Sequence, residues 1–289
     1  MKEYKANGNN SVKDTDSRGI VLGILYIVLF IAIFALIQFL FSYGMTYLAA
    51  WLGGSTAQKV AADIATGSQA NLLIASSVLS SVLTICLFAK VKWAPISRNY
   101  LRSKPWGVFF WAAVLALGSI LPSEWLVEQM QYNMPEATEK LFEQIMGKPT
   151  GYLAIGILGP LAEEMVFRGA VLRTLLKMMD GKWHWVAIII SALIFGAVHG
   201  NAVQFVHASV LGLLLGWMYY RTNSILPGVI FHWVNNTVAY VMFNIMPQMA
   251  DGKLIDLFHG DSRMMVLGIF FSLCIFIPGV LQLNMRMKK

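Results

Sequence analysis

Uncharged apolar stretches of about twenty residues recur from Ile20 to the end of the chain, and that recurrence constrains the fold more than any other feature. Such a stretch is long enough to cross a bilayer. A bilayer admits only structures that satisfy their backbone hydrogen bonds internally, which leaves helices or a closed barrel. A barrel would show short strands of alternating polarity, and none is visible. The composition agrees: 57% of the 289 residues are hydrophobic and 13% charged, too apolar for a soluble domain of this size. The expected fold is an all-α polytopic membrane protein.

Eight spans are expected, at Ile20–Leu52, Asn71–Ala89, Trp106–Leu126, Gly151–Met178, Trp183–His199, Ala202–Tyr220, Ile225–Met246 and Met264–Leu283. Residues 1–19 are polar and mixed in charge and read as a disordered cytoplasmic tail; the first apolar run is too long for a cleaved signal peptide. Residues 20–285 read as a single integral membrane domain. Pro135–Gly147 mixes acids with Leu141, Phe142, Ile145 and Met146, a pattern suited to a short interfacial helix. Cys86 and Cys274 fall inside apolar runs and read as small core residues. The net charge of +7 is better explained by membrane topology than by nucleic acid. With the N-terminus inside, sixteen Lys and Arg fall in cytoplasmic segments and five (Lys59, Lys140, Lys148, Lys253, Arg263) outside. "KVKWAPISRNYLRSK" carries most weight, being basic with no acid. Both termini are therefore expected in the cytoplasm of a multi-pass cell-membrane protein.

Ionisable residues inside spans cost about 2.5–3.5 kcal/mol each and mark function. Here they gather in the second half: Glu163, Glu164 and Arg168 in one span, His199 at the end of the next, His207 in the sixth, and His232 with Asn235 and Asn236 in the seventh. Glu164 and Arg168 are four residues apart and share a helix face, so they are expected to pair. Glu163 is turned about 100° away and remains free to take a proton. Gly159-Pro160 is expected to start or kink this helix, which puts both glutamates near its N-terminus. Phe195 and His199 lie one turn apart, as do His232 and Asn236. Taken singly, the Glu–Arg pair fits a structural knot, His199 a capping residue, and His232 an inter-helix hydrogen bond. His207 reads as a pore-facing or packing residue, and Gly212 with Gly216 as a close-packing pair.

Together they form a set on three helices that admits two chemistries. Glu163, His199 and His232 could converge on zinc. Without metal, a glutamate and one histidine activate a water while the second histidine and an asparagine donate to an oxyanion. The absence of HExxH spacing favours the metal-free form, with no cofactor.

The three motifs, Glu163-Glu164-x3-Arg168, Phe195-x3-His199 and His232-x3-Asn236, with the connecting "VLGLLLGWMYYRTNSILPGVIFHWVNN", resemble the CPBP family (CAAX protease and bacteriocin-processing, or Abi) of intramembrane endopeptidases, type II CAAX prenyl endopeptidase-like. The resemblance covers residues 150–240. It implies eight transmembrane helices around an intramembrane polar cavity open to the cytoplasm, and hydrolysis of a peptide bond in a membrane-embedded or membrane-associated protein or peptide. Carried over, Glu163 is the base for water, assisted by His199; Glu164 orients the site and pairs with Arg168; His232 and Asn236 stabilise the oxyanion; Phe195 and Arg168 are structural. A non-catalytic bacteriocin-immunity or scaffold protein of the same fold is the alternative. A transporter ranks last, because the early spans hold few ionisable residues.

Overall fold

The computed structural model describes residues 17–95, 97–246 and 253–287. Most of the expected tail, with Lys2, Lys5 and Lys13, lies outside the described residues, as do Lys288 and Lys289. The described residues are predominantly helical, with no strand among them. Their order is α1 (Ser17–Leu52), α2 (Ala57–Ala65), α3 (Ala70–Lys90), α4 (Arg98–Arg102), α5 (Trp106–Gln129), α6 (Glu136–Met146), then a segmented helix, then α9 (His184–Ala197), α10 (Ala202–Thr222), α11 (Leu226–Ile245) and α12 (Ser262–Arg286). The segmented helix runs without a break through π-helical Leu153–Leu158, α7 (Gly159–Glu164), π-helical Met165–Leu172 and α8 (Arg173–Met178).

Each expected span coincides with one of these helical stretches, and α6 occupies the expected interfacial segment. Five of them, α1, α3, α5, α10 and α12, are long and apolar enough to cross a membrane on length and composition. The remaining three hold the motif residues: the segmented helix is broken into short pieces, Gly181–Ala197 is short, and α11 carries His232, Asn235 and Asn236. A helix that builds a polar site gives up part of the apolar signature by which a span is recognised.

Gly159-Pro160 opens α7 inside a continuous helical stretch, not after a break. Proline lacks the N–H that an α-helix needs and crowds the preceding turn. The wider π turn just before it lets the chain continue, with Gly159 at φ −57° and ψ −59°. The glutamates therefore lie mid-helix rather than at a free N-terminus.

Packing follows the small residues. A Cβ on Gly212 would sit 3.0 Å from Ala192, and one on Gly216 2.9 Å from Ile188, so α9 and α10 meet along the expected glycine pair. Gly118 likewise admits the backbone of Phe276, joining α5 to α12. Cys86 and Cys274 are exposed, not in the core. An apolar run in a membrane protein is apolar on its lipid face too, so its sequence does not separate inside from outside.

The bundle has two distinct ends. At one, Gly23 of α1 packs on Met178 of α8, and Arg221 of α10 donates to the carbonyls of Asn284 and Met287 at 2.8 Å each. Adjoining clefts lined by Tyr100, Arg173 and Tyr219, and by Tyr100, Arg221 and Arg286, join these contacts to the Lys90–Lys104 segment. Both described chain ends lie here. At the other end, Asn244 of α11 donates to the Met146 carbonyl at 3.0 Å, Tyr240 donates to that of Lys148 at 3.0 Å, and the Leu254 N–H donates to Glu128.

Candidate active site

The segmented helix supplies two adjacent glutamates with different surroundings. Glu164 is fully buried. Its Oε1 accepts from Arg168 Nη1 at 2.9 Å and from His232 Nδ1 at 3.3 Å. Among the described residues, Glu164 Oε2 and two Arg168 nitrogens, Nε and Nη2, have no hydrogen-bond partner. The Arg168 guanidinium instead lies over the Phe195 ring, 4.2 Å from its centroid. The site tolerates little more bulk there: a Cβ on Gly228 would come 2.8 Å from Glu164 Oε2, and one on Gly212 3.3 Å from Arg168 Nη2.

Glu163 faces the other way, with its side chain 26% exposed, into a cavity of about 460 Å³. His199, His232, Asn235 and Asn236 line the same cavity, as does Phe195, which sits edge-on to both histidine rings. Three short motif segments on three helical stretches thus reach one space. His207 also lines it, with Nδ1 3.7 Å from Glu124.

Hydrogen-bond partners assign the histidine tautomers. His199 Nδ1 is 2.8 Å from the Phe195 carbonyl, which can only accept, so Nδ1 carries the hydrogen and Nε2 is left with a lone pair. His232 Nδ1 donates to Glu164 for the same reason, while its Nε2 lies 3.7 Å from Glu163 Oε2. In the neutral ring that Nε2 can only accept. It becomes a donor only when the ring is doubly protonated. Asn236 spends one N–H on the Ile155 carbonyl at 3.0 Å and keeps the other. Nearby, Trp233 Nε1 donates to Tyr152 Oη at 2.9 Å, and Tyr152 Oη lies 2.9 Å from Thr237 Oγ1, which fixes α11 against the segmented helix.

Among the described residues, no three His, Cys, Asp or Glu side chains are grouped to hold a metal ion. Glu163, His199 and His232 line one cavity but do not form such a group as they stand.

Several cavity residues were not anticipated. Glu124 comes from the last turns of α5, Gln38 from α1, and Ser77 and Ser81 from α3. The early spans thus add polar lining to a site whose motifs lie in the second half. Glu124 was visible as an acid near a span end; the serines and the glutamine had no periodicity to mark them.

Comparison with known proteins adds a family to this geometry. Residues 147–238 match the family described as type II CAAX prenyl endopeptidase Rce1-like. The matched segment contains every motif residue, from Glu163 to Asn236. The chain is 27% identical over 107 residues to "Putative membrane peptidase YdiL" of Bacillus subtilis (strain 168), a match covering 37% of this chain and 43% of that one. It is 22% identical over 170 residues to "UPF0177 protein YaiF" of Lactococcus lactis subsp. lactis (strain IL1403), covering 55% of this chain and 75% of that one. The chain thus spans less than half of the first relative and three-quarters of the second. No solved structure matches it. The apolar helices and the Rce1-like segment together make this a multi-pass membrane protein.

Proposed function

We propose that the chain is an intramembrane endopeptidase that hydrolyses a peptide bond in a membrane-associated protein or peptide without a metal. Residues 20–285 form its single membrane domain, both termini are cytoplasmic, and the catalytic core lies within 150–240. One observation carries the reading: Glu163, His199, His232 and Asn236 line one cavity, while Glu164 and Arg168 are packed dry behind it.

The geometry supports these roles. Glu163 takes a proton from a water in the cavity, with the lone pair of His199 Nε2 as the second acceptor. The hydroxide attacks the peptide carbonyl, and the proton passes on to the leaving amine as the C–N bond breaks. The free N–H of Asn236 donates to the oxyanion, with His232 beside it in the same cavity. Glu164, held by Arg168, fixes His232 through Nδ1. Phe195 supports the guanidinium and both imidazoles.

Cleavage of a quenched peptide library by purified protein tests this, comparing wild type and Glu163→Gln with and without a strong zinc chelator. The variant is expected to lose about 10²–10⁴-fold in rate, and the chelator to change nothing. Loss on chelation that zinc restores would replace the proposal with the three-ligand metal reading. Full activity in Glu163→Gln would remove the glutamate as base.

A further inference from the structure

We propose that the cavity is loaded from the extracytoplasmic side, so that the enzyme cuts segments exposed outside the cell rather than cytoplasmic tails. The substrate half rests on the peptidase reading; the sidedness does not.

The argument joins two observations. The first is the end of the bundle that the cavity lining reaches: Val127 in the last turn of α5, Met134 and Phe142 around α6, His199 just beyond α9, and Val203 in the first turn of α10. All belong to the end of the bundle where α11 is tied to the α6 segment, and opposite both described chain ends. Phe34 and Leu215, nearer the middle of their helices, close the floor.

The second is charge. The end away from the mouth holds Lys90–Lys104, with five cations and no acid, together with Arg173, Lys177, Lys182, Arg221 and Arg286. Asp180 is the acid among its connecting segments. At the mouth, α6 carries Glu136, Glu139 and Glu143 against Lys140, with Lys148 just beyond. Lys and Arg in short loops are retained in the cytoplasm during insertion, and acids contribute little to that choice. The basic end is therefore inside. The mouth, being at the opposite end, is outside. A cytoplasmic mouth and cytoplasmic termini place both features on one face, whereas this fold puts them on opposite faces.

Cysteine labelling tests the sidedness without requiring any activity. In a background lacking Cys86 and Cys274, Met134→Cys marks the mouth and Asn99→Cys, on α4, marks the basic end. A membrane-impermeant maleimide is expected to label Met134→Cys in intact expressing cells, and Asn99→Cys only after permeabilisation. Failure to label Met134→Cys from outside, or equal labelling of both, overturns the proposal. The substrate half is read with two single-span reporters that carry one cleavable sequence, identified from the peptide library, either outside or inside. Cleavage of the outer reporter alone is expected, and cleavage of the inner one overturns it. If neither is cut while Met134→Cys is labelled as expected, the substrate assignment falls together with the peptidase reading and the access face stands.

Discussion

Glutamate and a cation four residues later occur twice in this chain with opposite meaning. On α6, Glu136 and Lys140 meet at 2.6 Å with side chains 80% and 56% exposed. On the segmented helix, Glu164 and Arg168 meet at 2.9 Å with side chains 0% and 1% exposed. The shorter contact is the weaker one. In water the Coulomb gain is screened and offset by side-chain entropy. In the buried pair both charges have lost their hydration, so each depends on the other, on Phe195 beneath the guanidinium and on His232 beside the carboxylate. Separation alone does not rank ion pairs; the cost of leaving one member alone does.

Arg168→Ala should be the most damaging change, lowering stability by about 3–5 kcal/mol because Glu164 is left buried and unpaired. A thermal melt in detergent checks it, and a wild-type melt would mean that the pairing is not structural. Gly228→Ala attacks the same pair from outside: its Cβ, 2.8 Å from Glu164 Oε2, should cost about 1–3 kcal/mol in the same melt. Glu163→Gln sharpens the contrast between neighbours. With that side chain facing the cavity, the melt should stay within about 0.5 kcal/mol of wild type while cleavage is lost. Lys140→Ala should leave the melt unchanged. The Lys140 hydrogen bond holds the Glu136 carboxyl below its ordinary range, and Glu136 raises Lys140. Whatever the pair contributes is thus present between the two ordinary pKa values, and is lost as pH falls through that of Glu136 or rises through that of Lys140. A melt series from acid to neutral pH, run on wild type and Lys140→Ala, should superimpose.

The sequence marks some of this clearly and hides the rest for physical reasons. Apolar runs locate the helices because the membrane demands continuous hydrophobicity, and intramembrane charge draws attention to Glu163, Glu164 and Arg168 because charge there is costly. The Glu164–Arg168 pair was readable from helical spacing alone. The π turns around Pro160 were not, since they are a compromise between one residue and its packing. Gln38, Ser77 and Ser81 were hidden for another reason. An uncharged polar side chain is tolerated on any face of a span, and only the tertiary arrangement shows that these line the same cavity as Glu163. His232 held a further surprise: the sequence pairs it with Asn236 on one face, whereas the fold points both its nitrogens at carboxylates.

The 36 residues of α1 have one more consequence. At 1.5 Å per residue the helix is about 54 Å long, against a hydrocarbon core of about 30 Å. A tilt of up to about 40° cannot absorb such a mismatch. The last turns must therefore emerge among the headgroups, where exposed Tyr43, Tyr47 and Trp51 would form an interfacial aromatic belt. Gln38, which lines the cavity, lies five residues before Tyr43, or about 7.5 Å along the axis. The cavity then sits at shallow depth, within reach of the lipid surface and short of the centre of the bilayer.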